Sequence, residues 1–464
     1  MFNNPEFQRF IWVKFSAARV ATSLMLLGLV ALIVGTLPKS DAENFVETFG
    51  ILSYLFIHIW GVYDVANVFG RDTENRTWDF QKMSPVTSMR LLLGKIFGAS
   101  SFAWFLGLSC FFVSIFAALL HWPVEHHDKV FHYAFLFVIA GVFGQITAFY
   151  TSILGYNEKI RRSGVVAFIL GVLASSYILD FAKNIFDPFR SKVYSPEYQS
   201  AQLWYDMAFD PVVLGYMSVA FFTFWIFVGA HQVLRDKLQY NDPPLVWLGF
   251  VVSFSLYSAG FISADNTADP FFYVFFIGLL LTYITMVQDS ARLNLYTAWL
   301  YCLCKKDYAK AFEKTPKWIV SLGFVVLAYM ASIVFYDGKM SNIYLAFYAL
   351  CFLLFFARDA LVLHGLRLGR KSDGNRFGLW VYYLLVYLLL PWLVATFMRL
   401  EYGWKIFSPF RAMDSDKFSA LDAMSFFFPI KAESYFVMLA PIVIQVIIAG
   451  LFLRKRLNTL KTDM

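Results

Sequence analysis

The sequence predicts an all-α integral membrane protein, with about twelve transmembrane helices arranged as two parallel six-helix repeats. Three observations predict it. The 464 residues are 59% hydrophobic and only 15% charged, whereas soluble domains carry about 25% charged residues. The apolar residues come in continuous runs of the length that crosses a bilayer as a helix, not in the alternation of a barrel strand. Short motifs also return at shifts of 221 and 219 residues.

The runs lie near 17–37, 46–68, 91–119, 130–153, 164–183, 211–231, 245–264, 270–288, 318–336, 341–364, 377–398 and 435–453. The first follows the polar start "MFNNPEFQRFIWVKFSAARV" and is long enough to stay in the membrane, so it reads as a span and not a cleaved signal. Lysine and arginine concentrate in alternate connections, including Arg71 to Lys95, Lys159 to Arg162, Lys305 to Lys317, Arg367 to Arg376 and Arg454 to Arg456. Positive charge marks the cytoplasmic side. Both termini are therefore expected in the cytoplasm, in a multi-pass protein of a prokaryotic-type inner membrane. This bias accounts for the net charge of +7. No basic stripe lies on a water-soluble element, which excludes nucleic acid as a partner. Cys110, Cys302, Cys304 and Cys351 do not form a disulfide framework or a zinc spacing.

The repeat divides the chain at about residue 240, into 1–240 and a diverged 241–464. "NIFDPFR" at 184–190 returns as "KIFSPFR" at 405–411, and "VLRDKL" at 233–238 as "FLRKRL" at 452–457. Trp78 and Trp299 are 221 apart, each after the second span of its half. Six spans is an even number, so the two halves share one orientation.

Each half places a long aromatic and charged segment after its fifth span, 184–210 and 399–434. These read either as short amphipathic or re-entrant helices forming an outer gate, carried by Phe186, Pro188 and Arg190 and by Phe407, Pro409 and Arg411, or as interfacial loops with aromatic anchors. Their recurrence favours the gate. Within the spans, His58, Asp64, Asp180 and the pair Arg358-Asp359 read either as an ion pathway or as interfacial and structurally paired groups. So few deep ionisable groups favour the second. The cluster His121, Glu125, His126, His127, Asp128 and His132 reads as a wet polar loop, and no metal site is expected.

The segment "FGRDTENRTWDFQKMSPVTSMRLLLGKIFG", 69–98, is a polar island between two apolar runs. It predicts a helix of about three turns on the membrane face, ended by Ser84-Pro85, because the residue before proline disfavours helix. Thr87 or Ser88 would cap the next span. Gly94 would allow a close helix approach, and Lys95 would snorkel to the boundary. Charges facing the cytoplasm beside Trp78, Phe80 and Met83 suit a docking surface or a plain connector equally.

Within that island, Glu74, Thr77-Trp78-Asp79, Ser84-Pro85-Val86-Thr87 and Leu93-Gly94-Lys95 resemble the loop after the second span of type-2 ABC exporter permeases. Six spans per unit, an elongated segment before the sixth span and a basic tail after it resemble the same family. The resemblance implies the membrane subunit of an ATP-driven exporter, two six-span units fused, with substrate passing between the halves. It implies a cytoplasmic coupling helix seated in an ABC-type ATPase subunit, two of which would bind through Asp72, Glu74, Arg76, Trp78 and Asp79 and through Asp289 and Trp299. ATP and Mg would belong to that partner, and this chain would carry no cofactor and no catalytic site. The second-half loop, 288–324, departs from the pattern: it lacks the Ser-Pro-Val and Leu-Gly-Lys steps. Gly365 to Ser372 looks superficially like a phosphate-binding loop, but Arg370 replaces a required glycine and a membrane helix, not a strand, precedes it. The alternative is a twelve-span secondary transporter driven by an ion gradient. A membrane enzyme has least support, because no outward-facing Ser/His/Asp or paired-carboxylate set stands out.

Overall fold

The computed structural model describes residues 4–36, 42–155, 163–186, 202–205, 207–240, 243–261, 270–289, 293–334, 342–367 and 435–462. Nearly all of these are helical, and among them nine helices are long and apolar enough to cross a membrane. The chain is an all-α, multi-pass membrane protein. The apolar run at 377–398 and the outer-segment residues Pro188, Arg190, Phe407, Pro409 and Arg411 lie outside the described residues, as does the side chain of Phe186. The residues form two compact units, Met1–Gln202 with Phe209–Asp242, and Leu203–Ala208 with Pro243–Met464.

The first unit begins with α1 (Pro5–Lys14), α2 (Ala17–Thr36) and α3 (Ala42–Tyr54). A π-helical turn (Leu55–Trp60) then joins α3 to α4 (Gly61–Glu74), giving one apolar helix over Glu43–Glu74. A π turn disturbs the regular hydrogen-bond ladder, and in lipid the displaced carbonyls need another donor. Gln145 supplies one, its Nε2 donating to Ile57 O at 3.2 Å, while its Oε1 accepts from Trp104 Nε1 at 2.9 Å. Buried His58 bonds Ser175 Oγ through Nδ1 and packs between the rings of Tyr54 and Phe137. Gln145→Leu removes that donor without changing the apolar surroundings. It is expected to cost about 1–3 kcal/mol, the penalty for an unpaired buried polar group, seen as a lower unfolding temperature of the detergent-purified chain.

The island then adds α5 (Thr77–Met83), and the third apolar run is divided between α6 (Ser88–Ala99) and α7 (Ser101–His121) at Ser100. After α8 (His127–Gly155) and α9 (Ser163–Phe186), α10 (Pro211–Lys237) ends the unit. Tight packing of α8 on α9 depends on glycine: a Cβ on Gly144 would lie 2.7 Å from Gly171 O. Small residues let membrane helices approach this closely.

The second unit contains α11 (Leu245–Ala259), α12 (Pro270–Asp289), α13 (Leu293–Cys304), α14 (Tyr308–Glu313), α15 (Lys317–Val334), α16 (Asn342–Arg367) and α17 (Tyr435–Thr462). At 15 residues α11 is shorter than the other apolar helices. Its last turn is closed by residues of the preceding segment: Tyr205 N donates to Gly260 O at 2.7 Å, Tyr205 Oη to Leu256 O at 2.6 Å and Trp204 Nε1 to Tyr257 O at 3.1 Å. Tyr257 O and Gly260 O thereby gain donors at the helix C-terminus, where carbonyls lack helical partners, while Leu256 O accepts a second bond besides that from Gly260 N. The described end of the outer segment 184–210 is a short hairpin, β1 (Gln202–Trp204) and β2 (Met207–Phe209), and residues 187–201 of that segment lie outside the described residues. Tyr205, with φ 49, makes the turn between them. Deeper in this unit, Arg358 is buried with Asp359 at 2.8 Å and donates to Gln445 Oε1 at 2.7 Å. The pair is internally matched, which is what charge in a bilayer interior requires.

Candidate docking site

The island is built as two helices and a hinge, not as one helix. α4 runs on to Glu74, because Arg71 and Asp72 find partners that let polar residues continue an apolar helix. Asn75 closes it, its N–H donating to Arg71 O, and Arg76 takes the left-handed conformation with φ 58. α5 restarts at Thr77, with Thr77 Oγ1 donating to Asp72 O at 3.0 Å and Oδ1 at 3.1 Å. Ser84 leaves in extended geometry before Pro85, as the sequence predicts. Thr87 is the N-cap of α6 and accepts from Leu91 N through its backbone carbonyl.

Beneath this turn lies a buried ionic cluster contributed by three separate stretches of chain. Lys95 of α6 is 0% exposed and pairs with Asp72 of α4 and, at 3.5 Å, with Glu6 of α1. The sequence reading placed Lys95 at the boundary, with its ammonium in water. It is instead drawn inward, because two carboxylates supply what water would have supplied. Arg9 bridges the same two acids, 2.7 Å from Glu6 and 3.2 Å from Asp72. Burial opposes the Arg9 charge, but Glu6 and then Asp72 more than offset it, so the guanidinium is held above its ordinary value. Gln81 of α5 reaches both carboxylates at 3.4 Å. Two acids and two bases thus balance at one site, with Glu6, Asp72 and Lys95 buried and Arg9 half-exposed at its edge, the condition under which buried charge is tolerated. About two turns along α4 from Asp72, Lys14 pairs with Asp64 and donates to Ala99 O, and Arg71 approaches Asp64 at 3.7 Å. Asp64 therefore joins this side of the protein as a paired group.

The helix α1 is shaped for this contact. Asn4 caps it, Glu6 N donating to Asn4 Oδ1 at 3.1 Å, and Pro5 opens the first turn. It crosses α6 at two glycines one turn apart. A Cβ on Gly94 would meet Glu6 Cβ at 2.8 Å, and one on Gly98 would meet the Phe10 ring at 2.7 Å. The close approach expected at Gly94 is therefore made by α1. Its signal was present in "GKIFG", a small-xxx-small step, and in the Asn-Pro-Glu helix start. Gly98→Leu is expected to push α1 off α6 and expose Lys95, which increased trypsin cleavage within 76–95 would reveal.

The island's side chains divide into two groups. Asp72 is buried in the cluster, and Trp78, 5% exposed, packs edge-on against Phe69 with ring centroids 4.8 Å apart. The Lys82 and Lys95 ammonium groups each lie 5.7 Å from the Trp78 ring centre. Glu74, Arg76 and Asp79 are exposed, and beside them Phe80 and Met83 are 71% and 76% exposed. The sequence motif thus holds an inward half that fixes the turn and an outward half that mixes charge with two large apolar side chains. In the second unit, Trp299 sits partly buried on α13, and Asp289 ends α12 with its side chain outside the described residues. Among the described residues no group of three or more His, Cys, Asp or Glu is placed to hold a metal ion.

No protein-family model matches the chain, and neither a curated protein nor a solved structure is significantly similar to it.

Proposed function

We propose that this chain is the membrane permease of an ATP-driven exporter, built from two parallel six-span units, with energy supplied by ABC-type ATPase subunits bound at its cytoplasmic face. One observation carries the reading: a short helix, α5, is tied through Thr77 and Gln81 to a largely buried four-charge cluster, yet presents Phe80 and Met83 outward among Glu74, Arg76 and Asp79. Exposed apolar groups within a charged rim suit an interaction surface, and the mixed charge signs of Glu74, Arg76 and Asp79 favour a protein over an anionic membrane face. A rigid mount is what transmission of force from an ATPase requires, since a floppy connector would absorb the motion. The resemblance of Glu74 to Lys95 to the coupling loop of type-2 exporters supports the same assignment. In this reading the nucleotide and Mg are held by the partner, substrate passes between the halves, and both termini lie in the cytoplasm. The test is whether an ABC-type ATPase co-purifies with the tagged chain from its native membrane, comparing wild type with Phe80→Asp and Met83→Asp.

A further inference from the structure

The second unit has its own polar insertion between spans, and its surface differs from that of α5. α13 and α14 pack on one another through an inner side that includes buried Cys302 and Ala311. Lys306, in the left-handed conformation with φ 60, turns the chain between them. Asp307 caps α14, accepting from Lys310 N, and pairs with the Lys310 ammonium at 2.9 Å. The hydrogen bond from the Lys310 side chain holds the Asp307 carboxyl below the usual carboxylate range. That pair is locally neutral. Lys305, Lys306 and Lys314 then stand against the single acid Glu313.

Outward, α13 exposes Leu300 and Tyr301, and α14 exposes Tyr308 and Phe312 at helical spacing. Lys305 lies 4.5 Å from the centre of the Tyr301 ring. The hairpin leads directly into a membrane span at Lys317. Aromatic and aliphatic groups interleaved with lysines, beside a span, have the composition of a surface that lies in the headgroup region. Clusters of lysine next to a span select anionic lipid. A protein cleft would have to desolvate three lysines, whereas a headgroup layer neutralises them while staying hydrated.

We propose that the α13–α14 hairpin is a docking surface for the anionic lipid surface of the cytoplasmic leaflet, with Lys305, Lys306 and Lys314 contacting headgroups and Leu300, Tyr301, Tyr308 and Phe312 entering the interface. The second unit then uses this loop as a lipid anchor, and ATPase coupling is asymmetric. The inference rests on the proposed cytoplasmic placement of this loop, and its vesicle test reads out separately from the docking role of α5.

Cys304 is exposed at the end of α13, while Cys110, Cys302 and Cys351 are buried, so an environment-sensitive thiol dye reports on this hairpin alone. The labelled full chain is reconstituted in phosphatidylcholine vesicles with or without phosphatidylglycerol. The expected result is a blue shift and protection from an aqueous quencher only with phosphatidylglycerol, reversed by high salt. Replacing Lys305, Lys306 and Lys314 together by Gln is expected to lower the bound-to-released ratio by about 100-fold, while replacing all three by Arg retains it. Equal quenching in both vesicles overturns the proposal. So does protection that appears only when the ATPase is added, irrespective of lipid charge.

Discussion

Replacing Lys95 by Met, with Glu6, Arg9 and Asp72 left in place, is expected to destabilise the first unit by about 3–5 kcal/mol, because it strands a buried carboxylate. Lys95 is fully buried and pairs with both Asp72 and Glu6, whereas Arg9 is partly exposed and engages the same acids from one side. The loss should therefore exceed that of Arg9→Met. Deleting a whole ion pair is a different perturbation. Lys95→Met with Asp72→Leu leaves Glu6 and Arg9 matched at 2.7 Å, so the double variant is expected to recover most of the lost stability. Thermal unfolding of the detergent-purified variants measures both. A Lys95→Met cost under about 1 kcal/mol, the range of a water-exposed pair, would show that the cluster is not sealed.

The second large effect separates mount from surface. Phe80→Asp and Met83→Asp change side chains that touch little of this chain, so unfolding temperature is expected to stay near wild type. Binding of the ATPase is expected to fall by about 2 kcal/mol or more for the better-buried of the two, roughly 30-fold in Kd, the scale of an interface hot spot. Trp78→Ala should behave in the opposite way. Its ring fills a buried site against Phe69, and removing such a ring costs about 3–5 kcal/mol of stability. Any loss of ATPase binding there follows from a loosened α5. Surface plasmon resonance against the ATPase, run beside thermal unfolding, sorts the variants into these two classes. Unchanged binding by Phe80→Asp and Met83→Asp, with both folded, would remove α5 as the contact.

The same residues show how far the sequence carries. Trp78 was visible as part of a motif, but its inward orientation was not, because a seven-residue helix gives too few turns for a face to be read. Lys95 was legible as a charge next to an apolar run. Snorkelling is the default for such a lysine, and only the arrival of Asp72 and Glu6 from other segments made burial cheaper than exposure. Glu6 and Arg9, 63 or more residues from Asp72 in the chain, carried no pairing signal of their own.

What the sequence alone determined is the membrane class and the placement of most apolar helices. In a bilayer a backbone must satisfy its own hydrogen bonds, so a continuous apolar run of about 20 residues has one stable conformation. It also determined the stop at Ser84-Pro85, where the constraint is local and covalent. Tertiary structure decided the rest: that α4 runs on to Glu74, that the island breaks at Arg76, and which charges meet. Those outcomes depend on pairing energies between groups distant in sequence, which strengthen only once the chain has brought them together and excluded water.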